Sequence, residues 1–181
     1  MTVTTTNRLL MSKPDDDEFV SVALLNANWD KADADFRPAA KMVASAAQSI
    51  VTATTTKCAY NVTNFDSYAA RPEGAMINLT NDEITIRKAG LYLVTTSGSF
   101  AANATGVRRL DIRKNGTSLV SDTRVASAQT CGLHLAGIFA FAVNDLITAA
   151  CFQNSGGNLN IDGNTFADGM ELSVLWLGSS S

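Results

Sequence analysis

The sequence predicts a mainly β chain, a β-sandwich or jelly roll led by a short helical segment. Three observations carry that prediction. About ten short runs rich in β-branched and apolar residues follow Lys57, each bounded by turn residues. Apolar residues make up 46% of the 181, enough for one sizeable core. Charged residues are only 17%, well below the usual quarter or so, which leaves much surface neither charged nor assigned to a core.

Residues 1–18 are Thr-rich and then acidic, and "KPDDDE" (Lys13 to Glu18) reads as a solvated loop leading into a helix, with carboxylates favoured near its N-terminus. From Phe19, apolar residues recur at Val22, Leu25 and Trp29, at spacings of three, three and four. That is a helical stripe, too short to bury Trp29 by itself. Next, Phe36, Ala39, Val43, Ala46 and Ile50 fall on alternating a and d positions of a heptad, with Pro38 suited to a first helical turn. This segment predicts a short helical stalk or, equally, one amphipathic helix on its own domain.

From Lys57 onward the pattern is β. Strands are expected near 57–62, 74–79, 83–87, 90–100, 107–114, 118–125, 133–143, 146–153, 159–162 and 170–177. Their breaks carry turn chemistry, as in "KNG" at Lys114–Gly116, a hairpin signal, and "NSGGN" at Asn154–Asn158.

Several of these strands are apolar on both faces. In "LHLAGIFAFAV", Leu133, Leu135, Phe139, Phe141 and Val143 alternate with His134, Ala136, Ile138, Ala140 and Ala142. In "MELSVLWLG", Met170, Leu172, Val174 and Trp176 lie opposite Leu175 and Leu177. Leu91 and Leu93 lie opposite Tyr92 and Val94. A sandwich strand normally alternates apolar and polar. Two apolar faces predict a second covering surface, most economically other copies of the same chain. By contrast, "RRLDIRKNG" alternates cleanly, with Leu110 and Ile112 inward and Arg109, Asp111 and Arg113 outward.

Catalytic signatures are missing. The single histidine, His134, lies mid-strand between leucines, where an interior or interface role is expected over a catalytic one. There is no GxSxG, HExxH or phosphate-binding loop, and no evident carboxylate pair. Cys58, Cys131 and Cys151 form no CxxC and read as buried free thiols. A net charge of -3 argues against nucleic acid. No run approaches the ~18 apolar residues of a membrane span, and no export signal is read at the start. Neither an enzyme activity nor a cofactor or metal is predicted.

Four stretches taken in order, "ITIRKAGLYLVTTSGSF", "VRRLDIRKNGTSLV", "GIFAFAVNDLITAACFQNSGGNLNI" and "MELSVLWLG", resemble the jelly-roll head of the complement-globular-head and tumour-necrosis-factor superfamily. The resemblance covers about residues 57–178. It implies a two-sheet jelly roll assembled as a homotrimer, with Leu93, Thr95, Leu175 and Leu177 toward the three-fold axis. Members that bind calcium use acidic loops; here only Asp162 and Asp168 lie in comparable loops, with no convergent cluster. The leader "NRLLMSKPDDDEFVSVALLNANWDKADADF" resembles those of bacteriophage tail, fibre and baseplate-associated proteins, through Leu10, Pro14, Leu25, Asn26, Asn28, Trp29, Asp30 and Asp33. It implies docking of a virion appendage.

The resulting expectation is a non-enzymatic virion protein made in the host cytoplasm, a homotrimeric phage tail or fibre component. Residues 1–35 would anchor it to other virion proteins, 36–56 would form the stalk, and 57–181 the head. The head's candidate ligand is a host-surface glycan or protein. A capsid head fibre or decoration protein is the alternative.

Overall fold

The computed structural model describes residues 4–5, 12–13, 23, 25–29, 36–163 and 169–180. The chain divides into two units, Met1–Arg37 and Pro38–Ser181. In the first, β1 (Thr4–Thr5) pairs antiparallel with β2 (Ser12–Lys13). Residues 25–29 are helical, as the Leu25–Trp29 spacing predicts.

The second unit is a jelly-roll sandwich of two antiparallel sheets. One sheet contains β3 (Ala39–Val43), β4 (Gln48–Ile50), β6 (Val62–Asp66), β9 (Gly90–Phe100), β12 (Cys131–Phe141), β14 (Leu159–Ile161) and β15 (Glu171–Gly178). Its order is β4-β14-β9-β15-β3-β6, with β12 on the other edge of β9. The other sheet contains β5 (Thr56–Lys57), β7 (Ile77–Asn78), β8 (Glu83–Thr85), β10 (Val107–Lys114), β11 (Thr117–Val125) and β13 (Leu146–Gln153). Its order is β11-β10-β13-β8-β7, with β5 also on β13.

Period-two alternation builds the core between the sheets. Met42, Tyr92, Val94, Leu133, Leu172 and Val174 point inward from the first sheet and are buried. Ile84, Leu110, Ile112, Ile147 and Cys151 meet them from the second. Complete burial of each large apolar side chain contributes roughly 1.5–3 kcal/mol.

The helical stalk over 36–56 is not found. Ala39 and Val43 lie in β3, Ile50 in β4, and Ala46 in the bend between them; Phe36 precedes β3. Residues 38–56 therefore belong to the head, not to a separate segment. Alanine-rich spacing imitated a helix because alanine is a strong helix former. The deciding force is tertiary: β3 fills the edge of β15, and Ala40, Met42 and Ile50 are buried. The strand expected over 57–62 also divides, into β5 and an edge strand β6 that starts at Val62.

Gly90 opens β9 at φ +149°, and a Cβ there would lie 2.3 Å from the Trp176 indole nitrogen and 2.4 Å from the Gly178 carbonyl. Only glycine lets the last strand close so tightly over the start of β9. The Trp176 indole donates to the Ala89 carbonyl at 3.2 Å.

Arg108 lies on the inward parity of β10 and is fully buried. Its guanidinium donates to the carbonyls of Asn103, Thr105 and Val107, each at 3.0 Å, and lies 5.9 Å from the Phe100 ring centre. Burial pulls its pKa below the ordinary arginine value. The buried cation thus fastens the Asn103–Gly106 connection to the core. Arg108→Ala is expected to lower stability by about 3 kcal/mol or more, read from the denaturant midpoint, because three carbonyls lose their donors.

Asp145 ties two turns together. Its carboxylate accepts from the Ala142 amide at 2.7 Å, the Asn115 side chain at 2.8 Å and Lys114 at 2.7 Å. Asn115 in turn accepts from the Leu146 amide at 2.8 Å. Burial alone would raise the carboxyl pKa, but the bonds from Lys114, Ala142 and Asn115 outweigh it and hold it below the ordinary value. A depressed folded pKa stabilises above the unfolded value of about 4, and that contribution fades as pH falls through the folded one. Asp145→Asn is therefore expected to cost about 1–2 kcal/mol at pH 7. It should also flatten the loss of stability below about pH 4, measured by denaturant titrations across pH.

Candidate functional site

The outward face of the first sheet is the most unusual surface of the head. β9 is registered against β12 on one edge and β15 on the other, and β15 against β3. The pairing places Ile138, Leu93, Leu175 and Ala39 side by side in one row. Ala140 and Leu91 form the neighbouring row, and Leu177 stands beside them. On the other side lies a row of Ala136, Thr95, Ser173 and Lys41, then one with His134, Ser97 and Glu171.

Along the strands, the face thus passes from apolar, through hydroxyl, to charged. Ile138 is 61% exposed, Leu175 43%, Leu177 42% and Leu91 37%. The hydroxyls of Thr95 and Ser173 are 2.7 Å apart. Lys41 and Glu171 form an ion pair at 2.5 Å. Beyond Lys41, Phe65 of β6 extends the face and is itself exposed.

Leu93, Thr95, Leu175 and Leu177, drawn from two strands far apart in sequence, are brought together here. The register irregularity of β15 falls between Trp176 and Gly178, after Leu175. The period-two alternation therefore runs unbroken through Leu177, so Leu175 and Leu177 are both exposed while Val174 and Trp176 are buried. The sequence reading did not assign Ile138, Leu91, Ala136 and Ala140 to this site. Their signal was present in the two-sided patterns of "LHLAGIFAFAV" and of Leu91 to Val94, but the pairing of β12 with β9 was needed to place them together. His134 is exposed at the polar end of the face rather than interior.

Ala39 reaches the face as part of β3, while Val43, Ala46 and Ile50 do not form a stalk. Of the leader residues, Leu25, Asn26, Asn28 and Trp29 are helical, with Trp29 69% exposed and Leu25 44%. Leu10, Pro14, Asp30 and Asp33 lie outside the described residues, as do Asp168 and the acidic run from Pro14 to Glu18.

The interior offers little reactivity. Cys58 and Cys151 are buried, and Cys131 is half-buried. The neighbouring Cys151 thiol and burial push the Cys58 thiol well above its ordinary value, and burial raises Tyr60 beside it. The Cys58 thiol therefore stays protonated and weakly nucleophilic. Among the described residues no three His, Cys, Asp or Glu side chains cluster to hold a metal ion.

No protein-family model matches the chain, and no curated protein does. Solved structures do match its fold. The crystal structure of murine APRIL at pH 8.0 aligns with a TM-score of 0.57 and 16% identity, over 78% of this chain and 100% of that one. The structure of Eiger TNF from S. frugiperda aligns at 0.59 with 8% identity, over 81% and 94%. At such identities the likeness establishes a tumour-necrosis-factor-like jelly roll and no more.

The geometry separates core from face by a direct test. Val174→Ser is expected to destabilise by about 2–4 kcal/mol, as a large-to-polar change in the core. Leu177→Ser, one residue beyond the core-facing Trp176, should cost under about 1 kcal/mol of the isolated chain's stability. Chemical denaturation at dilutions that keep the chain monomeric provides the comparison.

Proposed function

We propose that this chain is a non-enzymatic structural protein of a bacteriophage particle, a homotrimeric tail or fibre component with a jelly-roll head. The observation that carries the assembly is the contiguous apolar face formed by Leu91, Leu93, Ile138, Leu175 and Leu177. Three copies meeting on these faces remove this contiguous apolar patch from water. The hydroxyl and ionic rows beside them supply polar contacts that fix the register between copies.

The leader supports the particle role. Its exposed Leu25 and Trp29 lie on a helix among Asn26 and Asn28, a short amphipathic plug for another virion protein. The head then presents its loops to the host surface, where a glycan or protein is the ligand. The similarity of the fold to APRIL and Eiger TNF is consistent with a head that recognises a partner, though at low identity it supplies no ligand.

Light scattering on the purified full chain should give three times the 19.1 kDa chain mass. The double substitution Ile138→Asp and Leu175→Asp should yield folded monomer, with the circular dichroism of the β head retained. A wild-type monomer at micromolar concentration would overturn the assembly. Gold labelling of intact particles should mark the tail; label on the capsid would favour a head fibre or decoration protein instead.

A further inference from the structure

The outward face of the second sheet holds a groove that the trimer does not use. Its floor is the outward side of β13, the residues Leu146, Thr148 and Ala150. Longer side chains rise on both sides of these. Arg113 of β10 is in register with Thr148, and Lys57 of β5 with Ala150. Glu83 stands next to Ile84, which pairs with Ile147, so it borders Thr148 from the other wall. The Asn115–Gly116 turn closes one end. Small residues on a central strand between long ones on its neighbours thus leave a cavity of about 210 Å³. That is the scale of one sugar ring, below the ~300–1,000 Å³ of sites for larger ligands.

The charges in the groove are only partly spent. Lys57 donates to the Asn81 carbonyl and lies 3.8 Å from Glu83. Asp111 is held by Arg109 at 3.1 Å, and Arg113 reaches it only at 3.8 Å. The Nε of Arg113 is buried without a hydrogen-bond partner. No ion pair spans the groove between Arg113 and Glu83. A guanidinium with open donors matches a planar carboxylate. Across the groove, the Glu83 carboxylate and the Thr148 hydroxyl offer acceptors suited to ligand hydroxyls. A free phosphate would satisfy the cations but brings no ring hydroxyls to reach Glu83 and Thr148 across the groove. A neutral sugar would leave the Arg113 guanidinium with no anionic partner nearer than Asp111 at 3.8 Å.

We propose that this groove binds an acidic monosaccharide unit, its carboxylate on Arg113 and its hydroxyls toward Glu83 and Thr148.

Saturation-transfer NMR on the full chain provides the test, with methyl glucuronide, methyl glucoside and inorganic phosphate as probes. Methyl glucuronide should give transfer, methyl glucoside much less, and phosphate should not displace the glucuronide. Arg113→Ala should weaken glucuronide binding about tenfold or more, the loss of a charge-assisted bond. Arg113→Lys keeps the charge and the fold but not the fork, and should fall between. Equal transfer to glucuronide and glucoside, no transfer to glucuronide, displacement by phosphate, or binding indifferent to both Arg113 substitutions would each overturn the assignment. The groove and the apolar face lie on opposite sheets, so a monomeric protein that binds glucuronide refutes only the trimer. A trimer that does not bind refutes only the groove.

Discussion

β9 has two faces, and the second sheet can cover only one of them. This constraint organises the head. The strand runs eleven residues and is hydrogen-bonded along both edges, so its side chains decide everything else. Tyr92 and Val94 enter the core and are completely buried. Leu91 and Leu93 take the other side by the geometry of the pleat, with no freedom to follow them. Because β12 and β15 lie in register on either edge, their own outward residues fall into the same rows. One apolar residue per strand becomes a continuous surface through pairing alone. The same geometry makes a one-residue slip costly, since it would exchange Tyr92 and Val94 for leucines and bury the hydroxyls of Thr95 and Ser173.

Much of this was legible in the sequence, and the part that was not has a physical cause. β9, β10 and β13 run over the expected residues because each combines long alternation with a clear turn at both ends. The apolar outer face was visible as two-sided strands, and Leu93 and Leu175 proved to be direct neighbours across the β9–β15 pair. β3 was missed because Ala39, Ala40 and Met42 have little β character of their own. They become strand by filling the open edge of β15, a partner about 130 residues away that no local window contains. Arg108 was also hidden. The alternation of Leu110 and Ile112 assigns it to the interior, but residue type argues for the surface. The carbonyls that accept its protons come from the preceding connection, whose path is not encoded in periodicity.

Arg108 and Asp145 resolve the same problem at different places. A jelly roll must turn its chain sharply between sheets, and each turn leaves backbone groups that no ladder satisfies. At the 101–106 connection the unsatisfied groups are carbonyls, and a buried cation supplies the donors. At the 142–145 turn they include the Ala142 amide, and a carboxylate supplies the acceptor. Lys114 then offsets the charge of Asp145. The guanidinium of Arg108 is instead spread over three carbonyl dipoles and an aromatic face. These charged side chains therefore serve the fold, which leaves the remaining cations of β10 available at the surface.

That division separates the two outer surfaces chemically. The first sheet turns leucine, isoleucine and alanine outward, with the Lys41–Glu171 ion pair on the polar side of the apolar rows. The second turns Arg109, Asp111 and Arg113 outward from a single strand. Surface of the first kind is worth most when it is hidden, because its gain comes from removing area from water. Surface of the second kind is worth most when it stays accessible and incompletely paired, because its donors then remain available to a ligand. A sandwich whose faces differ this way has a direction built in: under the proposed assembly one sheet turns toward its own copies, the other toward solvent. Under that assembly the low overall charge follows from the same asymmetry, since only one of the two outer faces has to be kept soluble by ions.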